Sequence, residues 1–220
     1  MTDQSKTDNL SLMSMSNYHP SDSRKDKETV ILDAACRVFR EKGFHQARIT
    51  DIAQTAGISY GLVYHYFTSK ADLFDAILKE WWTGLFNLME KWDSEATTVE
   101  EQLAALVTYF LEQYQKKPDI VHIFITEISR SASNLTPARL HWFKGFLSRT
   151  EKIMATGQSR DILRTDIKAR YLTYIFLGAI ESFVSAMVLE NQPLRSKAQK
   201  QRIAMGLLQV FMNGARPIIL

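Results

Sequence analysis

Residues 28–67 constrain the fold more than any other stretch, because three short helical patterns follow one another there with almost no linker. ETVILDAACRVFREKGF has apolar residues at i, i+3 and i+4 spacing and stops at Gly43. ITDIAQTAG begins at Thr50, a capping residue, and stops at Gly57. A third, very short pattern opens after the capping residue Ser59. Because the tight turn TAGIS joins the second pattern to the third, we predict a helix-turn-helix unit.

Beyond this unit the helical patterns lengthen. We predict helices near residues 70–92, 98–115, 118–131, 137–156, 167–190 and 196–214, separated by segments that contain Pro, Gly, Ser, Asn or Asp. The sequence shows no sustained alternation of apolar and polar residues and no internal repeat. The predicted fold class is therefore all-α, with a small three-helix unit followed by a larger helical domain.

The composition is that of a folded protein with a sizeable core. Hydrophobic residues make up 45% of the 220, and the single cysteine, Cys36, excludes an intrachain disulfide and favours a reducing compartment. We interpret Cys36 as a small buried hydrophobe. Residues 1–24 lack the apolar region of a signal peptide and are expected to form a disordered tail. No run approaches the roughly 18–20 apolar residues of a membrane helix, so we expect a cytoplasmic protein without a membrane partner.

A helical wheel divides the third helix into two faces. Leu62, Val63, Tyr66 and Phe67 fall on one side, Gly61, Tyr64 and His65 fall on the other, and Tyr60 lies near the boundary. A helix that enters a DNA groove can use an outward Tyr and His, because both side chains bond phosphates or base edges. Gly61 on that face lets the backbone approach closely. The alternative is that Tyr64 and His65 form an ordinary solvated face.

The charge of this region is locally positive, although the whole chain carries only +3. Between positions 37 and 70 the basic residues are Arg37, Arg40, Lys42, Arg48 and Lys70, and the acidic ones are Glu41 and Asp51. Thr50 and Lys70 stand at predicted helix starts, where backbone N–H groups favour a phosphate. We include Arg48, Thr50 and Lys70 among the predicted DNA-binding residues; alternatively, Lys70 is an ordinary surface lysine. The basic cluster at 24–27 is either an arm that reaches the DNA or simply a charged tail.

Together these motifs resemble one known family. VILDAACRVFREKGFHQARITDIAQTAGISYGLVYHYFTSKADLFDAIL is similar to the DNA-binding domain of the tetracycline-repressor (TetR) family, over roughly residues 28–80. The shared features are a first helix ending in Gly-Phe, an Ile-Ala second helix, an Ala-Gly-Ile-Ser turn, a Gly-x-Val-Tyr-x-Tyr-Phe third helix and a Ser-Lys start to the fourth. The family often has His at the position of Tyr66 and Pro at that of Thr68, and the side on which Tyr66 acts stays open.

The resemblance implies a homodimeric transcription regulator, usually a repressor, that binds a palindromic operator. It implies a DNA side formed by Thr50, Ser59, Tyr60, Gly61, Tyr64, His65, Tyr66 and Lys70. It also divides the chain into a homeodomain-like DNA-binding domain at 25–85, with the helix-turn-helix at about 48–67, and a ligand-binding and dimerisation domain at 86–220.

The last two helices have the pattern of a dimer element. ARYLTYIFLGAIESFVSAMVLE is apolar around most of its circumference, so it must be covered on more than one side. The two helices, paired with those of a second subunit, would form a four-helix bundle with two-fold symmetry. The predicted interface residues are Tyr174, Gly178, Phe183, Met187, Ile203, Leu207, Val210 and Phe211. The alternative is that the first of these helices is the core of a monomer.

A site for a small, apolar or aromatic effector is expected among the rings of the middle helices. The predicted ligand residues are Trp82, Phe86, Phe110, Tyr114, Phe124, Trp142 and Phe146, with Trp81 as a further ring. The polar candidates are His122, Glu127, Arg130, His141 and Glu181. Such rings are alternatively plain core. An effector that prefers more widely separated recognition helices would weaken operator binding by shifting the population of states.

Two other classes of protein compete with a regulator. An all-α enzyme would need catalytic chemistry, but the sequence contains no H-E-x-x-H, G-x-S-x-G, P-loop or G-x-G-x-x-G motif and no paired-cysteine metal spacing. We therefore expect no enzyme, no cofactor and no metal. An all-α interaction module that does not bind DNA would leave the outward face of the third helix without a use.

Overall fold

The computed structural model describes residues 20–94, 97–125 and 136–217. These residues form nine helices and no strands, in agreement with the all-α prediction. The helices are α1 (Pro20–Gln46), α2 (Ile49–Ala56), α3 (Tyr60–Tyr66), α4 (Lys70–Ser94), α5 (Val99–Lys116), α6 (Pro118–Ile123), α7 (Pro137–Ser159), α8 (Ala169–Leu189) and α9 (Lys197–Ala215). The part of the predicted 118–131 helix beyond residue 125 lies outside the described residues.

The first helix is longer than its apolar stripe. It begins at Pro20, so residues 20–24 of the predicted tail are helical, while residues 1–19 lie outside the described part of the chain. Gly43 interrupts α1 with φ 73° and ψ 158°. Because L side chains rarely adopt such a positive φ, a glycine at this kink is the residue expected. The predicted stop at Gly43 is thus a sharp kink followed by one more short turn.

Local capping determines where α2 and α3 begin. Gly57 ends α2 in the left-handed conformation, with φ 67°, and the Oγ of Ser59 accepts a hydrogen bond from the Leu62 N–H at 3.3 Å. The prediction of Thr50 as a cap is wrong: α2 begins at Ile49 and its N-cap is Arg48. The Asp51 carboxylate accepts the backbone N–H of Arg48 at 3.0 Å and so satisfies the helix start in place of Thr50.

The N-terminal helices share a core with the start of α4. Phe74 of α4 is fully buried, with its ring centroid 5.6 Å from that of Phe39 and 4.7 Å from that of Phe44 in α1. Val63 and Phe67 hold α3 on this core. Farther along the chain, α8 packs against α7 and α9 packs against α5. The long helix α4 therefore joins the two halves of the molecule.

Helix α8 is apolar enough to need separate mention. With a mean hydropathy of 1.8 over its best window it passes the length and composition test for a membrane span, and 39% of that window is buried inside the protein. The expectation that no segment approaches this limit is wrong for α8. A core or interface helix of a water-soluble protein passes the same test, so the result by itself is weak support for a membrane span.

Candidate functional site

The two faces of α3 lie where the helical wheel predicts. Val63 and Phe67 are buried, whereas Gly61 and His65 are exposed and the Tyr60 and Tyr64 side chains are 50% and 42% exposed. A helix of seven residues packs on the rest of the domain with one face only. The opposite face therefore presents polar-tipped rings to the outside.

Tyr60 and Tyr64 act as a pair on this face. Their ring centroids are 4.8 Å apart, and a hydrogen bond with Tyr64 raises the pKa of the Tyr60 phenol above its usual value. A tyrosine phenol is protonated at neutral pH with or without this shift, because its ordinary pKa is about 10. A protonated phenol can donate a hydrogen bond to a phosphate oxygen, which is an acceptor only.

Gly61 lies between the two tyrosines and faces open space. A Cβ built on Gly61 would meet no atom within 4 Å. Packing within the protein therefore does not require glycine at this position. Close approach of the backbone to an external surface remains the reason to expect it.

Tyr66 occupies an intermediate position. Its ring is half-buried against the core and meets His65 edge-on, with centroids 5.4 Å apart. The inward side of the wheel is thus the correct one for most of the ring. A contact of Tyr66 with DNA remains a prediction.

Helix α2 borders the same surface. Ile52 and Ala53 are buried, while Arg48 and Thr50 are exposed. Gln54 and Thr55 are also exposed on α2, and we did not predict them from the sequence. The signal was present, because the apolar stripe of Ile49, Ile52 and Ala53 leaves these polar residues facing outward.

The positive charge near this surface is smaller than the residue count suggests. Arg40 bonds Asp119 of α6 at 2.7 Å, and Lys42 pairs with Asp51 at 3.0 Å. The hydrogen bond from Lys42, followed by that from the backbone of Arg48, holds the pKa of the Asp51 carboxyl below its usual value. Two of the five basic residues therefore already have acidic partners within the protein.

Lys70 has a structural position that the sequence did not reveal. Its Nζ donates to the backbone carbonyls of Phe44, His45 and Ala47 at 2.6, 3.0 and 2.9 Å, and lies 4.7 Å from the Phe44 ring centroid. An ammonium group has three N–H donors, so all of them are used. Its side chain ties the start of α4 to the end of α1, which neither the DNA-binding prediction nor the surface-lysine alternative anticipated, and a contact of Lys70 with DNA stays a prediction.

Most of the predicted ligand residues form one packed cluster of rings. Trp82 lies 5.7 Å from Phe86, 5.6 Å from Phe124 and 5.8 Å from Phe146, measured between ring centroids. Phe110 joins this cluster through Phe146 at 6.1 Å. Trp142 is half-buried against the core. These rings are core in this structure, and their contact with a ligand remains a prediction.

Tyr114 lies apart from the ring cluster. Its hydroxyl is within hydrogen-bond distance of the carbonyls of Met187 and Gln192, at 3.0 and 2.8 Å. It therefore anchors the end of α8. Of the polar candidates, Glu127 and Arg130 lie outside the described residues, and His141 and Glu181 are exposed.

A cleft of about 420 Å³ opens between the end of α4, the start of α5 and the second half of α7. Its lining is Met89, Glu90, Trp92, Thr97, Val99, Gln102, Arg149, Lys152, Ile153, Thr156 and Arg160. Three cations and one carboxylate thus stand over an apolar floor. Arg149 also covers the Phe86 ring at 4.5 Å, which joins the cleft to the ring cluster.

Sequence reasoning missed the cationic side of this cleft. Arg149, Lys152, Thr156 and Arg160 follow each other at i, i+3, i+7 and i+11, which puts them on one face of a helix. The spacing was readable in RTEKIMATGQSR. What the sequence lacked was a sign that this face borders a concavity.

Helices α8 and α9 expose apolar residues side by side with small ones. On α8, Tyr174 is 49%, Ile175 55% and Leu189 67% exposed, and Gly178 is exposed as well. On α9, Val210 is 78% exposed. Phe183, Ile203 and Leu207 of the predicted interface are half-buried.

Two of the predicted interface residues are covered mainly by their own chain, and their contact with a second subunit stays a prediction. Met187 and Phe211 are each 8% exposed, and Phe211 packs on Phe176 with ring centroids 4.9 Å apart. Both belong to the core of the protein itself. The sequence did not distinguish them from exposed apolar residues, because α8 and α9 both carry apolar side chains on the inner and on the outer side.

Apart from these surfaces, we looked among the described residues for groups that could bind a metal ion or react covalently. No group of three or more His, Cys, Asp or Glu side chains that could hold a metal occurs among them. Cys36 is buried, and burial, followed by the charge of Asp33, raises the pKa of its thiol to about 12. The thiol is therefore unreactive at neutral pH, as the interpretation of a small buried hydrophobe requires.

Two family models cover most of the chain. The model for bacterial regulatory proteins of the tetR family matches residues 31–77, and the model for the C-terminal region of YsiA-like proteins matches residues 79–209. The first match contains α2 and α3, and the second contains the cleft. Their boundary falls within α4.

Relatives agree along nearly the whole length. The chain is 25% identical over 191 residues to the fatty acid metabolism regulator protein of Bacillus subtilis (strain 168), covering 87% of this chain and 96% of that protein. The structure of FadR from Bacillus subtilis in complex with stearoyl-CoA has a TM-score of 0.72 at 24% identity, covering 86% of this chain and 99% of that one.

A second solved relative contains DNA. AibR in complex with isovaleryl coenzyme A and operator DNA has a TM-score of 0.67 at 15% identity, covering 84% of this chain and 97% of that one. At such identities the two solved structures establish a shared fold. The two family models, together with the helix-turn-helix geometry, identify the chain as a member of the tetR family of bacterial transcriptional regulators.

Proposed function

We propose that this protein is a cytoplasmic repressor, without enzymatic activity, that binds a palindromic operator as a homodimer and leaves it when a coenzyme A thioester occupies the α4–α5–α7 cleft. The observation that carries the assignment of the effector is the row of three cations above an apolar floor. A coenzyme A thioester matches both parts of this cleft, since its anionic phosphates can pair with the cations and its apolar acyl chain can contact the apolar floor.

The DNA contacts come from the exposed face of the helix-turn-helix. We assign base and phosphate contacts to Tyr60, Tyr64 and His65 on α3, and phosphate contacts to Arg48 and Thr50 on α2. Ser59 caps α3 and offers its backbone at the same edge. Tyr66 contributes only its exposed edge, and Lys70 acts by holding α1 and α4 together. Each assignment follows from the exposure of the residue and from the family.

Homodimerisation uses the exposed side of α8 and α9. Two recognition helices must lie about 34–36 Å apart to enter successive major grooves on one face of DNA, which a single subunit cannot provide. The small residue Gly178 lets helices approach closely, and Tyr174, Ile175 and Val210 supply apolar area. A two-fold axis through this surface would bury each of these residues against a second copy.

The cleft is suited to an anionic amphiphile. Arg149, Lys152 and Arg160 provide charge-assisted hydrogen bonds for phosphates, while Trp92 and Ile153 provide apolar contact. The relatives FadR and AibR were solved with stearoyl-CoA and isovaleryl coenzyme A, respectively. The ring cluster behind Arg149 and Phe86 is the natural place for an acyl chain to continue, because it is apolar and directly adjacent.

The experiment that tests the effector compares stearoyl-CoA, isovaleryl-CoA, free CoA and stearate. Binding is measured by calorimetry, and operator affinity is measured by fluorescence anisotropy with a duplex that the protein selects from random-sequence DNA. We expect at least one thioester to bind and to weaken operator binding, because it prefers the state with more widely separated recognition helices. Lys152→Gln should lower thioester affinity about tenfold, or about 1.4 kcal/mol.

Lys144→Gln is the matched control, because Lys144 is an exposed lysine on the same helix that does not line the cleft. It should leave thioester affinity unchanged. Equal losses in both variants would mean that a general electrostatic attraction, rather than the cleft, binds the ligand. If no thioester changes either the melting temperature or operator affinity, the effector class proposed here is wrong.

A further inference from the structure

The first turn of α7 carries a buried cation. Arg139 is 4% exposed, and its Nε donates to Oδ1 of Asp75 in α4 at 2.6 Å. Its guanidinium carbon also lies 4.6 Å from the centroid of the Phe74 ring. A buried charge that loses its partner is strongly destabilising, so these three side chains must keep their arrangement or move together.

The partners of Arg139 belong to the core that supports the DNA-binding helices. Phe74 packs on Phe39 and Phe44 of α1. One turn earlier on α4, Lys70 holds the last carbonyls of α1 in place. The helix α2 starts directly after those carbonyls. A displacement of Phe74 would therefore be transmitted to the helix-turn-helix through the packed rings of α1 and the hydrogen bonds of Lys70.

The other end of α7 lines the cleft. Arg149, Lys152, Ile153 and Thr156 lie on the same uninterrupted helix as Arg139, and Arg160 follows directly at its C-terminal end. At a rise of 1.5 Å per residue, the separation between Arg139 and Ile153 is about 21 Å. One rigid element thus contacts the cleft with its second half and the base of the DNA-binding domain with its first turn.

We propose that Arg139 is a positioning residue that couples the cleft to the DNA-binding domain, with α7 as the moving element. The inference rests on the proposed function for its assignment of the cleft as the effector site. A shift of α7 toward or away from α5 carries the Arg139 guanidinium with it. Through Asp75 and Phe74, that shift then tilts the start of α4 and with it the recognition helix.

Helix α4 offers a competing route. It also runs from the DNA-binding domain to the cleft, with Lys70 at one end and Met89, Glu90 and Trp92 at the other. A coupling carried by α4 alone would not need Arg139. The two routes differ in what happens when Arg139 is replaced and α4 is left intact.

The test uses linkage, which requires that operator binding alter the cleft if the cleft alters operator binding. Hydrogen exchange of the amides at 149–160 is measured with and without the selected DNA duplex, in wild type, Arg139→Gln and Arg170→Gln. Arg170 also pairs with a carboxylate, Glu151, but is exposed on α8, so it controls for loss of an arginine. No effector is added, so the test is unaffected by an error in the assigned effector class.

We expect the duplex to change exchange at 149–160 severalfold in wild type and in Arg170→Gln, and to leave it unchanged in Arg139→Gln that is saturated with duplex. If Arg139→Gln does not fold, Asp75→Asn replaces it; this variant keeps the cation on Phe74 and loses the ion pair, and it should lose the response likewise. A wild-type response in a folded Arg139→Gln or Asp75→Asn would overturn the proposal in favour of α4. No response in wild type would overturn it as well.

Discussion

In the part of the chain that the structure describes, tyrosine rings are exposed on α3 and on α8, and the surroundings of the rings differ. On α3, Tyr60 and Tyr64 share the exposed face with His65, and the exposed cation Arg48 stands at the start of the neighbouring helix α2. On α8 and α9, the exposed large side chains are Tyr171, Tyr174, Ile175, Leu189, Met205 and Val210, with exposed small residues between them. The first surface matches a polyanion, and the second matches an apolar protein surface. Exposure of a ring by itself therefore does not distinguish a nucleic-acid surface from a subunit interface; the neighbouring residues do.

The largest effect is expected on the α8 surface. Ile175→Arg places a charge in the middle of the apolar surface proposed for dimerisation, where a second subunit would desolvate it without a partner. We expect the dimer to dissociate and operator affinity to fall more than about 100-fold, because both half-sites are needed. Sedimentation velocity and fluorescence anisotropy measure the two results. The control variant Ala155→Arg, on an exposed part of α7, should remain dimeric. If Ile175→Arg is also dimeric, the dimer interface does not include this part of α8.

The next effect is expected on the α3 surface. Tyr64→Ala removes a ring that is 42% exposed, so the melting temperature should change little. Operator affinity should fall by about 1–3 kcal/mol, the usual range for one good contact to a base edge. Tyr64→Phe keeps the ring and removes only the hydroxyl, so comparing it with Tyr64→Ala separates the contribution of the hydroxyl to operator affinity from that of the ring. Unchanged operator affinity in Tyr64→Ala would mean that this face of α3 does not contact DNA. The assignment of α3 to DNA and of α8 and α9 to a second subunit would then lose its basis.

Lys70 separates support of the DNA surface from contact with DNA. Lys70→Met removes three hydrogen bonds from a charged donor. One such bond contributes about 1.5–3 kcal/mol, and because the three share a single ammonium group we take this range for the whole loss. We expect the melting temperature to fall by about 3–12 °C, given the usual 2–4 °C per kcal/mol for a protein of this size. Lys79→Met, at an exposed lysine of the same helix, is the control. An unchanged melting temperature in Lys70→Met would show that these hydrogen bonds do not stabilise the fold, and would favour a direct contact of Lys70 with DNA.

The smallest effect on stability is expected at Gly61. A Cβ at this position meets nothing, and Ala favours a helix by up to about 1 kcal/mol relative to Gly. Gly61→Ala should therefore melt at the same temperature or slightly higher, while operator affinity decreases because the added methyl group separates α3 from the groove. Calorimetry and anisotropy test the two parts separately. Tight operator binding by Gly61→Ala would show that close backbone approach is not needed.

The correct predictions depended on residues that are neighbours in sequence. The caps at Gly57 and Ser59 and the two faces of α3 involve groups only a few positions apart, so periodicity and turn chemistry suffice. Thr50 failed as a cap for an equally local reason, since Asp51 satisfies the N–H of Arg48. These features could all be read, rightly or wrongly, from short windows.

The wrong or missing predictions depended on distant contacts. Lys70 meets Phe44 across 26 positions, and Arg139 meets Asp75 across 64. The cations of α7 were visible as a stripe, but only the approach of α4 and α5 turns that stripe into one wall of a cleft. The burial of Met187 and Phe211 within their own chain was likewise not readable, because an apolar residue has the same sequence signal whether it faces its own core or a second subunit.

The sequence by itself determined the all-α fold class, the helix-turn-helix, the family and the outward face of α3, because each follows from helical period, capping and a motif of adjacent residues. The tertiary structure decided which cations support the fold, which apolar side of α8 stays uncovered and where a cleft opens. Those features arise only when helices far apart in the chain pack together, since burial and ion pairing depend on every element that surrounds a side chain.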